Sequence, residues 1–224
     1  MASKEKTPLK GIVLISAGAF AREVSGWINQ CIAAGANWYL KGFLDNRTAL
    51  AEEFDLGAPI LNTCEEYLPE EGDLFLCALG EPVQKKKYST MIEEKGGLFA
   101  NLIHPTAIVG ERIKLGHGII LAPFSALTSD LTIGNHVTIS SFSGAGHDVK
   151  IGDYTQISSH CALNGHVQVG EGVFMGAHSC VCPKVTIGSW AYIGAGSVVL
   201  RRVHELTKVF GNPAVPIGTV DDVI

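Results

Sequence analysis

A repeat with a period of six residues fills the second half of the chain and constrains its fold more than any other feature. Between Val109 and Val199, sixteen consecutive blocks of six begin with an apolar residue, and only Ala145 among them is small. An α-helix repeats near 3.6 residues and a simple strand near 2, so neither explains this period. Three short strands joined by turns form a coil of about eighteen residues, and the repeat therefore predicts a parallel β-solenoid of the hexapeptide type. A β-sandwich, whose strands recur at roughly 8–12 residues, does not keep such a phase.

The first hundred residues alternate instead between strand-like and helix-like patterns. We predict strands at 9–15, 39–44, 59–61 and 73–79, and helices at 22–34 and 82–94. This alternation is typical of a small parallel α/β sheet of the Rossmann-like kind. We therefore expect two domains, an α/β domain at 1–102 and a β-solenoid at 103–224.

A nucleotide site is expected in the α/β domain. Ligands of such sheets bind beyond the carboxyl ends of the strands, at the glycine turn and at the acidic residue after the second strand. The candidate residues for this site are Ala17, Gly18, Ala19, Phe20 and Asp45. Ser16 and Ala21 replace two glycines of the G-x-G-x-x-G fingerprint, so a tight turn without a ligand remains an alternative. Asp45 could likewise be a turn residue or a helix cap.

Composition limits the classes of partner. The formal net charge is -5 and no basic block stands out, so nucleic acid is not an expected partner. The run 85–87 consists of three lysines, and we predict that it forms a solvated helix face. No apolar run approaches the roughly 20 residues that cross a bilayer, so no membrane span is expected.

Two features bear on the compartment. The apolar stretch 11–21 follows Lys4, Lys6 and Lys10, an arrangement that superficially resembles a signal peptide but fits better as the first buried strand. The six cysteines lack a framework spacing, so we expect reduced thiols in a cytoplasmic protein.

Five motifs connect the two halves to one family. They are A-R-E-V at 21–24 after the glycine turn, F-L-D at 43–45, L-I-H-P-T-A at 102–107, G-H-D-V-K-I-G-D at 146–153 and G-N-P-A at 211–214. With the repeat, they resemble bacterial sugar acetyltransferases that join an N-terminal nucleotide-sugar-binding domain to a C-terminal left-handed β-helix. This family includes N-acetyltransferases of the bacillosamine and perosamine types and sialic acid O-acetyltransferase relatives.

The resemblance implies an activity and partners. The expected reaction is acetyl transfer from acetyl-CoA, without a metal, to the 4-amino group of a nucleotide-linked 4-amino-4,6-dideoxysugar. Its products would serve bacterial surface glycans, such as the O-antigen of lipopolysaccharide, or glycoproteins. The resemblance also implies a left-handed coil and a homotrimer with active sites between subunits.

The resemblance assigns roles to individual residues as well. His147 matches the family's catalytic base, Asp148 its acidic neighbour, and Gly165, eighteen residues after His147, the backbone N–H that holds the thioester oxygen. The expected acetyl-CoA contacts are Gln156, Arg201, Arg202, Asn212 and Pro213. The two arginines could equally form a solvated exit from the solenoid. The chain departs from some relatives at Ser140, Gln156 and Phe20, where those carry Asn, His and His.

Other readings stay open. A sugar hydroxyl, as in sialic acid O-acetylation, could replace the amine, since the same base would serve both acceptors. We call each block of six residues a hexad and expect its fourth position to point outward. This position holds His136, His160, His166 and His178. Such histidines could bind zinc, as in the γ-class carbonic anhydrases. We expect them instead to be surface or subunit-contact residues. A scaffold without catalytic activity is the remaining alternative.

Overall fold

The computed structural model describes residues 8–221 of the 224-residue chain, so Lys4 and Lys6 lie outside the described residues. The α/β sheet comes first and the solenoid follows it, as predicted. The elements of the α/β part are β1 (Lys10–Ile15), α1 (Ala19–Ala33), β2 (Trp38–Leu44), α2 (Leu50–Glu53), β3 (Ile60–Asn62), β4 (Asp73–Cys77) and α3 (Pro82–Glu94).

The N-terminal sheet is parallel and has the order β3-β2-β1-β4. The apolar residues of β1 are almost completely buried because helices and loops cover both faces of this central strand. Helix α1 begins at Ala19, earlier than predicted, since Gly18 is its N-cap and has an extended backbone. The short helix α2 was not predicted, and its single turn lacks buried residues.

The solenoid is a three-sided, left-handed β-helix made mostly of two-residue strands. Equivalent strands of successive coils pair in parallel with an offset of eighteen residues, as in Thr138↔Gln156. The side that we name the covered sheet contains β5 (Leu102–Ile103), β8 (Ile120–Leu121), β11 (Thr138–Ile139), β14 (Gln156–Ile157), β17 (Phe174–Met175) and β20 (Tyr192–Ile193), followed by β22 (Thr207–Gly211) and its antiparallel partner β23 (Ala214–Thr219).

The other two sides are named by their outward residues. The small-residue sheet contains β6 (Ile108–Glu111), β9 (Ala126–Ser129), β12 (Gly144–Ala145), β15 (Ala162–Leu163), β18 (Cys180–Val181) and β21 (Val198–Val199). The polar sheet contains β7 (Lys114–Leu115), β10 (Thr132–Ile133), β13 (Lys150–Ile151), β16 (Gln168–Val169) and β19 (Thr186–Ile187).

The first position of each hexad fills the interior, as the repeat predicts. Leu127 to Val199 in this column are buried and form one continuous core. Val109, which is 39% exposed, and Leu115, which is partly buried, are the exceptions, because they lie in the first coil and no preceding coil covers them. The fourth hexad position lies at the corners, where residues such as Asp148 and His166 adopt a left-handed backbone conformation with φ near +60°.

Helix α3 docks the α/β part onto the covered sheet and the edge that it shares with the polar sheet. Lys85 is only 1% exposed, so the prediction of a solvated lysine face was wrong at this position. Its Nζ donates to Gln156 Oε1 at 2.9 Å, to Thr138 Oγ1 at 3.1 Å and to the Thr155 carbonyl at 3.5 Å. Lys86 pairs with Glu171 at 2.8 Å.

The same docking buries His136, which we had predicted to be a surface or subunit-contact residue. Its Nε2 lies 2.8 Å from Glu93 Oε1 of α3, and the same carboxylate oxygen lies 2.7 Å from Nε2 of His117. Burial lowers the pKa of His136, and the nearby Glu93 carboxylate offsets part of that effect. A histidine that points away from the solenoid is therefore enclosed by the other domain.

The buried ammonium group generates a prediction about stability. Burial lowers the pKa of Lys85 to about 8 from its usual value of 10.5, and no carboxylate among the described residues contacts its Nζ. Above about pH 8 the folded protein releases this proton while the unfolded chain keeps it, so stability should rise with pH up to 10.5.

We therefore expect the free energy of unfolding of the wild type to gain roughly 1.4 kcal/mol per pH unit relative to Lys85→Met in this window. Denaturant titrations at several pH values measure the difference. Lys87→Met, which removes an exposed lysine of the same helix, should show no such trend. Parallel curves for the wild type and Lys85→Met would contradict the assignment.

Candidate active site

One edge of the solenoid brings the predicted catalytic residues together. This acid–base edge joins the small-residue sheet to the polar sheet, and its corners stack coil upon coil through backbone hydrogen bonds. The His166 N–H donates to the His147 carbonyl at 2.9 Å, and the Lys184 N–H donates to the Gly165 carbonyl at 3.0 Å. Residues eighteen apart in the sequence are consequently neighbours along this edge.

His147 and Asp148 form a hydrogen-bonded pair. Nδ1 of His147 lies 2.8 Å from Oδ2 of Asp148, and the two side chains are 58% and 47% exposed. A carboxylate at Nδ1 favours the tautomer that keeps its proton there, so the Nε2 lone pair is available to accept another proton. Within the described part of the chain, Nε2 makes no hydrogen bond. The pair has the arrangement of a general base with an orienting acid.

Gly165 lies directly against the His147 ring. A methyl group at this position would come within 2.6 Å of Nε2, so a residue with a side chain would displace the imidazole. None of the hydrogen bonds among residues 8–221 uses the Gly165 N–H. A free backbone donor beside the exposed Nε2 is suited to hold a developing negative charge on oxygen.

The two arginines predicted to contact acetyl-CoA, Arg201 and Arg202, lie further along the same edge. Arg201 is two coils beyond Gly165 and Arg202 two coils beyond His166, and both side chains are exposed. Arg202 also borders a hollow of about 460 Å³ on the polar sheet. Lys184, between His166 and Arg202 on this column, was not singled out from the sequence. The eighteen-residue spacing from His166 was the signal that could have found it.

Three predicted acetyl-CoA contacts lie elsewhere in the subunit. Gln156 is buried beneath α3 and bound to Lys85, so it is a domain-contact residue and is not placed to touch a cosubstrate at the acid–base edge. Asn212 and Pro213 form the exposed tip of the β22–β23 hairpin, with a cis peptide bond between them.

The nucleotide candidates border a cleft at the carboxyl ends of β1, β2 and β4. Its volume is about 200 Å³, and it is lined by Ile15, Ser16, Leu44, Asp45, Asn46, Arg47, Cys64, Glu65, Leu79 and Tyr88. Sequence reasoning located this end of the sheet but missed Arg47 and Tyr88. Ala17 and Gly18 shape the turn next to the cleft, Ala19 is exposed, and Phe20 packs edge-to-face on Trp27 at 6.0 Å.

Asp45 organises this turn. It is 9% exposed and accepts hydrogen bonds from the Ala17 N–H at 2.8 Å and from the Arg47 side chain at 2.9 and 2.7 Å. Burial alone would raise the pKa of Asp45, but the Arg47 guanidinium and the backbone N–H groups outweigh it and lower the pKa to about 2. The carboxylate is thus already saturated by protein donors, which favours its role as a turn residue.

The histidines considered for zinc do not converge. His160 and His178 stack face to face at 4.6 Å, in one row with Phe142 and Phe124, along the edge between the covered and small-residue sheets. We call this row the aromatic edge. In residues 8–221, two other groups place three metal-donor side chains close together, Glu93 with His117 and His136, and His147 with Asp148 and His166. Hydrogen bonds or ion pairs within each group already account for these contacts.

Comparison with known proteins agrees with the fold. The family description of bacterial transferase hexapeptide (six repeats) matches residues 166–201. The search of curated proteins found no match. No helix in residues 8–221 is both long enough and apolar enough to span a bilayer.

Solved structures match over nearly the whole chain. The perosamine N-acetyltransferase of Caulobacter crescentus, crystallised with CoA and GDP-perosamine, is 28% identical with a TM-score of 0.83, covering 96% of this chain and 100% of that one. The acetyltransferase domain of PglB from Neisseria gonorrhoeae is 25% identical with a TM-score of 0.82, covering 93% and 100%. WeeI from Acinetobacter baumannii, at 24% identity, supports the fold with a TM-score of 0.82, covering 94% and 100%.

The Asp45 interactions predict a loss of stability in Asp45→Asn. The depressed pKa means that the carboxylate stabilises the fold above its unfolded value of 3.8, and that this contribution is lost as the pH falls towards 2. Near neutral pH we expect Asp45→Asn to lose roughly 2 kcal/mol of unfolding free energy, and the difference to shrink in acid. Chemical denaturation measures it. Asp55→Asn in an exposed loop is the control, and an equal effect in both variants would refute the role of Asp45.

Proposed function

We propose that this chain, a sugar acetyltransferase of the hexapeptide-repeat class, transfers the acetyl group of acetyl-CoA to the 4-amino group of a nucleotide-linked 4-amino-4,6-dideoxysugar. The observation that carries the proposal is the His147–Asp148 pair beside the unpaired N–H of Gly165. The likeness to an enzyme crystallised with CoA and GDP-perosamine supports the class of acceptor. The product would enter the assembly of a bacterial surface glycan or glycoprotein.

The proposed reaction begins with a proton transfer to His147. An amine is mostly ammonium at neutral pH, and Nε2 accepts the proton whose removal frees the nitrogen lone pair. The nitrogen then forms a bond to the thioester carbonyl carbon. When the C–S bond breaks, the proton on His147 passes to the departing sulfur and the attacking nitrogen releases its second proton to solvent, so the products are an acetamide, the free thiol of CoA and one proton. His147 thus returns to its initial state.

Two groups stabilise the charges of this step. The Asp148 carboxylate faces Nδ1 and would stabilise the imidazolium that forms on His147. The Gly165 N–H would donate to the carbonyl oxygen as it becomes negative. One such donor is worth roughly 10²–10³-fold in rate.

The charges along the acid–base edge favour an amine acceptor. Asp130 precedes Asp148 by one coil and is held by Arg112 through bonds of 2.6 and 2.9 Å, and Glu111 lies beside Arg112. Three carboxylates and one guanidinium leave this end negative, which attracts an ammonium group and repels the carboxylate of a sialic acid. Lys184, Arg201 and Arg202 make the other end positive, as the phosphates of CoA require.

The placement of the α/β part supports a proposal in which two copies share each reaction. The α/β part lies against the covered sheet, whereas the acid–base edge is the edge opposite that sheet. A sugar attached to a nucleotide in the cleft would therefore be directed away from its own His147. We propose that the sugar meets His147 of a neighbouring copy in a homotrimer.

One face of the solenoid is suited to such a contact. Beyond β6, the outward residues of the small-residue sheet are Ala126, Gly144, Ala162, Cys180 and Val198, which leave a flat surface without charge. It is bounded by the aromatic edge, where the Phe124 and Phe142 side chains are each 54% exposed. The polar sheet presents lysine, threonine and glutamine instead. The small-residue sheet is thus the side that a second copy would cover.

The proposal predicts that one nucleotide-linked 4-amino-6-deoxysugar drives the release of CoA thiol from acetyl-CoA. A panel of such sugars is assayed with the wild type, His147→Ala and, as control, His117→Ala on the edge between the covered and polar sheets. We expect His147→Ala to lose at least about 100-fold in rate, within the range for a general base. His117→Ala should retain activity. Turnover with sugar hydroxyls alone would favour O-acetylation, and a failure to bind acetyl-CoA would refute acyl transfer.

A further inference from the structure

Asp148 is contacted by two histidines, and the second one has no part in the reaction described above. Nδ1 of His166 lies 3.6 Å from Asp148 Oδ2, the same oxygen that His147 approaches at 2.8 Å. The longer distance exceeds a hydrogen bond but lies within the range of an ion pair. His166 is one coil beyond Asp148 on the acid–base edge, and its side chain is 49% exposed.

The His166 ring also contacts the ring of His147. The two imidazoles are perpendicular, with centroids 4.9 Å apart. Gly165 closes off another side of the His147 ring, so the catalytic imidazole lies between a backbone segment and a second imidazole. Any change in the charge of His166 therefore acts on His147 directly and through their common carboxylate.

Few other charges surround this group. Along the column, His166 has Asp148 on one side and Lys184 on the other, and Asp130 with Arg112 lies beyond Asp148. The Arg112–Asp130 pair is tied together by two hydrogen bonds. Histidine is the side chain whose charge ordinarily changes within the physiological pH range, and His166 is the histidine that borders the catalytic pair.

We propose that His166 is a positioning residue that acts through Asp148, and that its protonation weakens the hold of this carboxylate on His147. The proposal rests on the proposed function, in which His147 is the base. When His166 is neutral, Asp148 is available to His147 alone. When His166 is protonated, it attracts the shared carboxylate and repels the imidazolium that must form on His147, so proton uptake by the base becomes harder.

The test compares His166→Asn, His166→Ala and the matched control His117→Asn, which removes a half-exposed histidine from the edge between the covered and polar sheets. In the wild type, the acid limb of the pH–kcat profile should lie about half a pH unit below that of either His166 variant, as expected for one charge acting across a few ångströms of exposed surface. His117→Asn should follow the wild type. A purely structural role of His166 would lower kcat without moving the limb.

A second readout does not require turnover. NMR titration of the His147 ring in the free protein should show two coupled steps in the wild type and one simple step in His166→Asn. An identical titration of His147 in both proteins would overturn the inference. If coupling is seen but no sugar is acetylated, the positioning contact stands and the proposed function fails.

Discussion

Backbone hydrogen bonds between successive coils are the interaction on which the rest of the structure depends. Because the N–H at the fourth hexad position donates to the coil before it, residues eighteen apart become neighbours, as His166 and Lys184 do with the residues preceding them on the acid–base edge. The solenoid thereby arranges side chains that are eighteen residues apart in three columns, one along each edge. One column is acidic at its start, where the proposed base lies, and basic at its end, one is largely aromatic, and one is covered by the α/β part of the chain.

The docking of α3 then determines which column is covered and where the cleft of the α/β part lies relative to the other two. Lys85, Lys86 and Glu93 attach the helix to the covered sheet and its edge by polar contacts, two of them to buried or half-buried partners. Tyr88 of the same helix lines the cleft at the carboxyl ends of the N-terminal strands, so this cleft is held at a defined place relative to the solenoid. If the cleft holds the nucleotide, as we propose, a second copy would have to supply the His147 that completes the site.

The sequence predicted the periodic part of this arrangement and little of its domain contacts. The sixfold phase and the resemblance were sufficient to predict the register, the strands and the place of His147, since each depends on local pattern. Lys85, His136 and Gln156 were misjudged because polarity and hexad position carry no information about which surface another domain covers. The saturation of Asp45 by Arg47 was missed because it depends on the geometry of a loop two residues away. The burial and the partners of residues that lie in tertiary contacts cannot be predicted from periodicity.

Subunit complementation tests the central claim most directly. His147→Ala removes the base, and Asn46→Trp is designed to block the nucleotide cleft from its exposed rim, so each variant alone should be inactive. If the cleft of one copy works with His147 of the next, mixed oligomers of the two co-expressed variants should recover about one quarter of wild-type activity. With random assembly of equal amounts, about one quarter of the sites combine an open cleft with an intact His147 from the neighbouring copy. Mixed oligomers without activity would show that both halves of the site must come from one chain, and would contradict the account.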